Sequence, residues 1–160
     1  MIHVDKTVSV NSGSSPDEPR VSRAQLWRGL VLKAENALPF VPAMTQCEIL
    51  EQTEGGFIRE IVLRGERMKE RITFDPQNSV KFERLSGSAL GTILNEILED
   101  PANGLQLRFT FSIEPKGVTP GSQEEKDFRA MMEKDYLTAV QATVNAVRRL
   151  VKEGQLVGAA

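Results

Sequence analysis

The sequence predicts an α+β fold in which a curved antiparallel sheet of about seven strands wraps around a long helix near the carboxyl end. Three observations predict it. A run free of Gly and Pro extends from Ser122 to Glu153. Before it, turn signals recur between strand-like runs from Met44 to Glu114, at Glu54-Gly55-Gly56, Arg64-Gly65, Asp75-Pro76-Gln77-Asn78, Ser86-Gly87 and Pro101-Ala102-Asn103-Gly104. The last of those runs sets Leu105, Leu107, Phe109, Phe111 and Ile113 against Gln106, Arg108, Thr110, Ser112 and Glu114, the period-two pattern of a strand with one buried face. A sheet wrapped around so long a helix encloses space, which directs the functional question to a buried small molecule.

At the amino end, Ile2, Val4, Val8 and Val10 fall on even positions and predict the first strand. Asn11 to Pro19 is rich in Ser, Gly, Pro and charge, so the segment 11–21 is expected to be a flexible loop. Ser22-Arg23-Ala24-Gln25 has the spacing of a capping box, and Leu26, Trp27, Leu30, Val31, Ala34 and Leu38 then give one apolar helix face. Pro39 and Pro42 stop that helix and leave room for a short turn or helical fragment. About six strands follow as a meander. Leu90 to Leu98 fits a helical stripe as well as a strand, and is read as a strand because both neighbours are strands. Gly87-Ser88-Ala89-Leu90-Gly91 lacks the Lys and the spacing of a phosphate-binding loop and is read as a turn. Ser122-Gln123-Glu124-Glu125 is a second capping box. The helix it opens has the apolar stripe Met132, Tyr136, Val140, Val144, Val147 and Val151, and at roughly 45 Å it should overhang the sheet, bend, or fray at its acidic start.

Composition narrows the function classes. The 160 residues suit a single domain, 1–160. A net charge of -2 supplies no basic field for phosphates, so no nucleic-acid partner is expected. Cys47 is the only cysteine, which excludes an internal disulfide and a thiolate-rich zinc site and fits a reducing, cytoplasmic setting. It is read as a small buried hydrophobe. His3 is the only histidine, so a multi-histidine metal site is excluded, and a structural or surface role is expected for it. No secretory core and no apolar run of membrane-spanning length is present. No cofactor is implied, and the expected state is a monomer or homodimer.

One polar constellation has the makings of a site. If Arg64-Gly65 is a two-residue turn, antiparallel register pairs Ile61 with Met68, Arg59 with Glu70, and Phe57 with Ile72. Four of these six are large and apolar, so the face they share should point inward and carry Arg59 and Glu70 with it. On the functional reading Arg59 donates to a ligand carboxylate or enolate while Glu70 orients it or moves a proton. On the structural reading the pair closes on itself. Trp27, Met68, Phe74, Phe82, Phe109, Met132 and Tyr136 either line an apolar pocket together with Arg59 and Glu70 or are plain core. The outward Arg67, Lys69 and Arg71 are either a docking ridge or an ordinary solvated face.

The segments Ala24-Gln25-Leu26-Trp27-Arg28-Gly29-Leu30-Val31-Leu32-Lys33-Ala34, Gly56-Phe57-Ile58-Arg59-Glu60-Ile61, Glu70-Arg71-Ile72-Thr73-Phe74 and Ala139-Val140-Gln141-Ala142-Thr143-Val144 resemble the AtaL-like family. This is a domain family of largely unknown function in bacteria and fungi. The order of elements resembles the helix-grip order of the START-like (SRPBCC) superfamily, which includes birch-pollen-type allergens, lipid-transfer START domains and aromatic polyketide cyclases. The resemblance covers nearly the whole chain apart from Asn11 to Pro19. It implies the helix-grip fold and, because fungal relatives are associated with secondary-metabolite pathways, a metabolite ligand; it assigns no catalytic residue. The expected function is therefore binding or carriage of an apolar or amphipathic small molecule between sheet and carboxyl helix. Two alternatives stand beside it: a metal-independent cyclase or isomerase using Glu70 and Arg59, and a protein-interaction module.

Overall fold

The computed structural model of the chain describes residues 2–11, 20–41, 43–102 and 104–154. In chain order the elements are β1 (Ile2–Ser9), α1 (Arg23–Glu35), β2 (Met44–Thr53), β3 (Gly56–Leu63), β4 (Glu66–Asp75), β5 (Ser79–Arg84), β6 (Ala89–Asp100), β7 (Gly104–Pro115) and α2 (Gln123–Lys152). The strands form one antiparallel sheet of seven in the order β1-β7-β6-β5-β4-β3-β2. Six consecutive strands thus run as a meander, and β1 returns to cover the β7 edge.

Local chemistry accounts for the boundaries. Ser22 caps α1 through the Gln25 amide while the Gln25 side chain accepts from the Ser22 N–H, a complete capping box. The helix stops at Glu35, earlier than the apolar stripe ending at Leu38 predicts. Asn36 is extended (φ -151°), its side chain accepts from the Leu38 N–H, and Leu38 is left 41% exposed. Leu38 precedes Pro39, a position from which the helical region is sterically disfavoured. The second box is only half formed. Ser122 accepts from the Glu125 amide, but the Glu125 carboxylate turns to the Gly121 N–H instead of that of Ser122.

The segment read as a strand from Leu90 to Leu98 is the middle of β6, while Ala89 to Gly91, read as a turn, begins that strand, so the turn is confined to residues before it. Val10 lies just beyond β1, fully buried, with its N–H on the Leu105 carbonyl and its own carbonyl accepting from Arg148 Nε at 2.8 Å. Of the expected loop 11–21, residues 12–19 lie outside the described residues; at its ends the Asn11 side chain bonds both backbone groups of Val21.

The core lies between the concave sheet face and the two helices, built on Leu26 and Leu30 of α1, Val140, Val144 and Val147 of α2, and the inward rows Phe57-Ile72-Phe82-Ile93 and Leu107-Phe109-Phe111-Ile113. Where α1 crosses α2 the two helices approach closely at Gly29, and a Cβ there would lie 2.5 Å from Val147 Cγ2 and force that side chain to shift. Along α2 the first buried residue is Met132, while Met131 is 41% exposed. The turns before it are exposed or half-buried, with Phe128 packed against the core and Arg129 donating to the His3 carbonyl of β1. Among the described residues no helix is long and apolar enough to cross a membrane.

A charged cavity between sheet and helix

The β3–β4 hairpin places the first two charges. Arg64 and Gly65 both adopt positive φ (52° and 80°), the conformation of a tight two-residue hairpin whose twist matches its strands. The register is then Ile61 with Met68, Arg59 with Glu70 and Phe57 with Ile72, and all six are buried. The next strand adds a third charge in the same row, since Glu70 pairs with Arg84 of β5. Arg59, Glu70 and Arg84 therefore stand side by side on the concave face, at 3%, 2% and 9% exposure.

Within this row Arg59 is spent on the protein. Its Nε and Nη2 donate to one Glu70 oxygen at 3.1 and 2.8 Å, and Nη1 donates to the Lys33 and Ala34 carbonyls at the end of α1 at 3.3 and 2.9 Å. It ties the helix terminus to the sheet, satisfying carbonyls that have no partner within the helix. Burial acts to raise the Glu70 pKa, but the Arg59 and Arg84 guanidiniums outweigh it and hold the carboxyl below its ordinary value. Arg84 is less fully engaged. Its Nε lies 3.5 Å from the second Glu70 oxygen without forming a hydrogen bond, and Nη2 donates to the Tyr136 hydroxyl at 3.3 Å.

A fourth charge was not singled out in the sequence. Lys33, in the last turn of α1, is 5% exposed and donates to Asn95 Oδ1 of β6 at 2.7 Å. Its ammonium lies 4.3 Å from the Phe109 ring centroid and 5.2 Å from that of Phe82. Burial first, and the neighbouring Arg59 charge second, bring its pKa down to about 7 against the pull of Glu70. Tyr136, stacked on Phe111 at 4.3 Å, is pushed up to about 12, chiefly by burial.

These groups border a cavity of about 460 Å³ between sheet and α2. Its inner wall comprises Lys33, Arg59, Glu70, Phe82, Arg84, Ile93 and Phe109, and α2 closes it with Met132, Tyr136 and Ala139. At its outer end stand Val41, Ala43 and Leu63, with the exposed Arg64, Met131, Lys134 and Thr138. Arg64 at the hairpin tip is ion-paired with Asp135 of α2 across this end.

Of the residues considered from sequence, Arg59, Glu70, Phe82, Phe109, Met132 and Tyr136 border the cavity, and Trp27, Met68 and Phe74 do not. Trp27 and Phe74 meet edge to face at 6.0 Å, with Phe57 at 5.8 Å from Phe74, and so fill space in the core. Met68 packs in a side cluster with Ala37, Met44 and Ile61. Cys47 is half-buried beside Arg59 Nη1 (3.7 Å), not fully buried, because it occupies β2 at the sheet edge. His3 is exposed, with its ring nitrogen 2.8 Å from the Ser112 hydroxyl. Arg67, Lys69 and Arg71 project from the opposite face of β4, where Arg67 pairs with Glu60.

A sequence model of the family described as acetylaranotin biosynthesis cluster protein L matches residues 4–154. The chain belongs to that family. No curated protein matches this AtaL family chain in sequence. Among solved structures, the Zhui aromatase/cyclase from Streptomyces sp. R1128 matches with a TM-score of 0.76 at 18% identity, covering 97% of this chain and 98% of that one. A START superfamily protein from Mycobacterium smegmatis matches with a TM-score of 0.73 at 16% identity, covering 94% and 99%. At such identities the likeness is one of fold, and the AtaL family chain has the helix-grip fold of the START-like superfamily.

Proposed function

We propose that this protein binds and carries an apolar or amphipathic metabolite in the cavity between the sheet and α2. One observation carries the reading. A cavity of about 460 Å³ lies open beneath α2, within the range of small-molecule sites. Its walls combine aromatic and aliphatic side chains with a few convergent polar groups. The family description, drawn from a biosynthesis cluster, agrees with a small-molecule guest.

The test uses a neutral apolar fluorophore, N-phenyl-1-naphthylamine. The wild type is expected to bind it saturably at one site. Ala139→Trp, which projects an indole from α2 into the cavity, is expected to weaken binding by roughly tenfold or more while the protein still melts cooperatively. Equal binding by both proteins would place the probe elsewhere and remove the reading.

A second reading, a metal-independent cyclase- or isomerase-type enzyme, is favoured by Lys33, whose amine titrates near neutrality beside the cavity and so suits proton transfer. Glu70, held ionised between two guanidiniums, is poorly placed to move a proton. Conversion of a bound metabolite to a product, lost in Lys33→Met while the neutral fluorophore still binds, would establish the enzyme; an unchanged metabolite would leave the carrier.

A further inference from the structure

The charges around the cavity do not balance. Arg59, Arg84 and Lys33 face a single carboxylate, Glu70, and Glu70 is already bound by Arg59 through two hydrogen bonds. Arg64 and Asp135 at the outer end cancel each other. Lys33 has a neutral amide as its hydrogen-bond acceptor and two aromatic faces beside it. Arg84 has one phenol as its hydrogen-bond partner, and its buried Nε, 3.5 Å from the Glu70 carboxylate that it shares with Arg59, makes an ion pair there without a hydrogen bond. Its neighbour across β6 is Gly91, so that strand offers no side chain to accept from it. An unbalanced buried cation is costly, of the order of several kcal/mol, unless an anion and its hydrogen bonds compensate it.

We propose that the cavity is built for an anionic metabolite, an apolar body carrying a carboxylate or comparable anionic oxygen that is received by Arg84, with Lys33 supplying the second positive charge. This rests on the cavity being a ligand site and names the chemistry of its guest. Arg84 offers a planar fork of donors, the geometry that suits a carboxylate. The Tyr136 hydroxyl, neutral far above physiological pH, stands beside it as a further donor. The aromatic walls at Phe82 and Phe109 take the apolar body. A neutral guest of the same shape would leave the excess charge in place, so the site discriminates by charge as well as by shape.

The experiment compares anthracene-2-carboxylate with anthracene-2-carboxamide, which share a ring system and differ in charge, by isothermal titration at pH 7. The wild type is expected to bind the carboxylate roughly tenfold or more tightly than the amide, as a charge-assisted bond to a buried guanidinium predicts. Arg84→Met and Lys33→Met are each expected to shrink that ratio, Arg84→Met to within about twofold, while amide binding persists. The wild-type comparison stands even where a variant fails to fold. An amide that binds as well as the carboxylate overturns the anion site and leaves the cavity reading intact. Binding of neither, together with no binding of the neutral fluorophore, overturns the cavity reading itself. A carboxylate preference unchanged in both variants places the anion elsewhere and overturns the assignment to Arg84 and Lys33.

Discussion

Glu70→Gln is expected to lower the unfolding free energy by about 3–5 kcal/mol, the usual cost of removing one partner from a buried ion pair. The carboxylate is 2% exposed and is the only anion in its row. Its loss leaves Arg59 and Arg84 as buried like charges on the strands that flank it. Coulomb repulsion and uncompensated desolvation then act together, and the amide oxygen that remains restores hydrogen bonding to Arg59 without restoring charge. Urea denaturation at pH 7 measures the effect. Glu60→Gln is the control, since Glu60 pairs with the exposed Arg67 on the opposite face, where such pairs contribute about 0–1 kcal/mol. A change below about 1 kcal/mol for Glu70→Gln would show that the row is wet and its charges screened. Glu70 thus anchors two arginines and, through Arg59, the end of α1.

Lys33→Met is expected to act in the opposite direction and stabilise the ligand-free protein at neutral pH. The folded-state pKa of Lys33 is lowered from 10.5 to about 7. Between those values the unfolded chain holds more protons than the folded one, so stability rises as pH increases through that window and the penalty is fully present below about pH 7. The size of that penalty is on the order of 4 kcal/mol. Against it stands the loss of the bond to Asn95 Oδ1, which costs about 1–3 kcal/mol when the acceptor is left unsatisfied. The first term wins, for a net gain of about 1–3 kcal/mol at pH 7. Stability of the wild type should climb from pH 7 toward pH 10, and that climb should vanish in Lys33→Met. Above pH 10 Tyr136, whose pKa is raised to about 12, works the other way, because the unfolded phenol ionises first. Thermal melts across pH 6–10 check both claims; a wild-type profile that falls from pH 7 to 9 would contradict the buried-amine account.

Much of the fold is legible in the sequence because the physics that fixes it is local. Alternation at Leu105 to Ile113 specifies a one-sided strand, Ser22 and Gln25 specify a helix start, and the apolar majority of the β3–β4 face specifies a register that a one-residue slip would invert. The end of α1 is less legible, since Leu38 continues the apolar spacing and only the backbone preference before Pro39 and the Asn36 cap end the helix.

The site is legible only in part, for a different reason. Apolar periodicity shows which face is inward but not where the interior is filled and where it is open. Trp27, Met68 and Phe74 thus read like Phe82 and Phe109 although they occupy packed regions. Arg84 follows Val80 and Phe82 on the inward face of β5, a signal available in the alternation. Lys33 lies three residues after Leu30 and seven after Leu26, on the buried stripe of α1. A lysine in the last turn of a helix ordinarily complements the helix dipole from solvent, and only the packing of α1 over β6 shows that this one is buried.

The most direct test of the cavity as a ligand site is the crystal structure of the protein grown with saturating N-phenyl-1-naphthylamine. One probe molecule is expected inside, its rings against Phe82 and Phe109 and beneath Tyr136 of α2. A probe found only on the outer surface, with the space between sheet and α2 unfilled by it, would contradict a ligand site in the cavity.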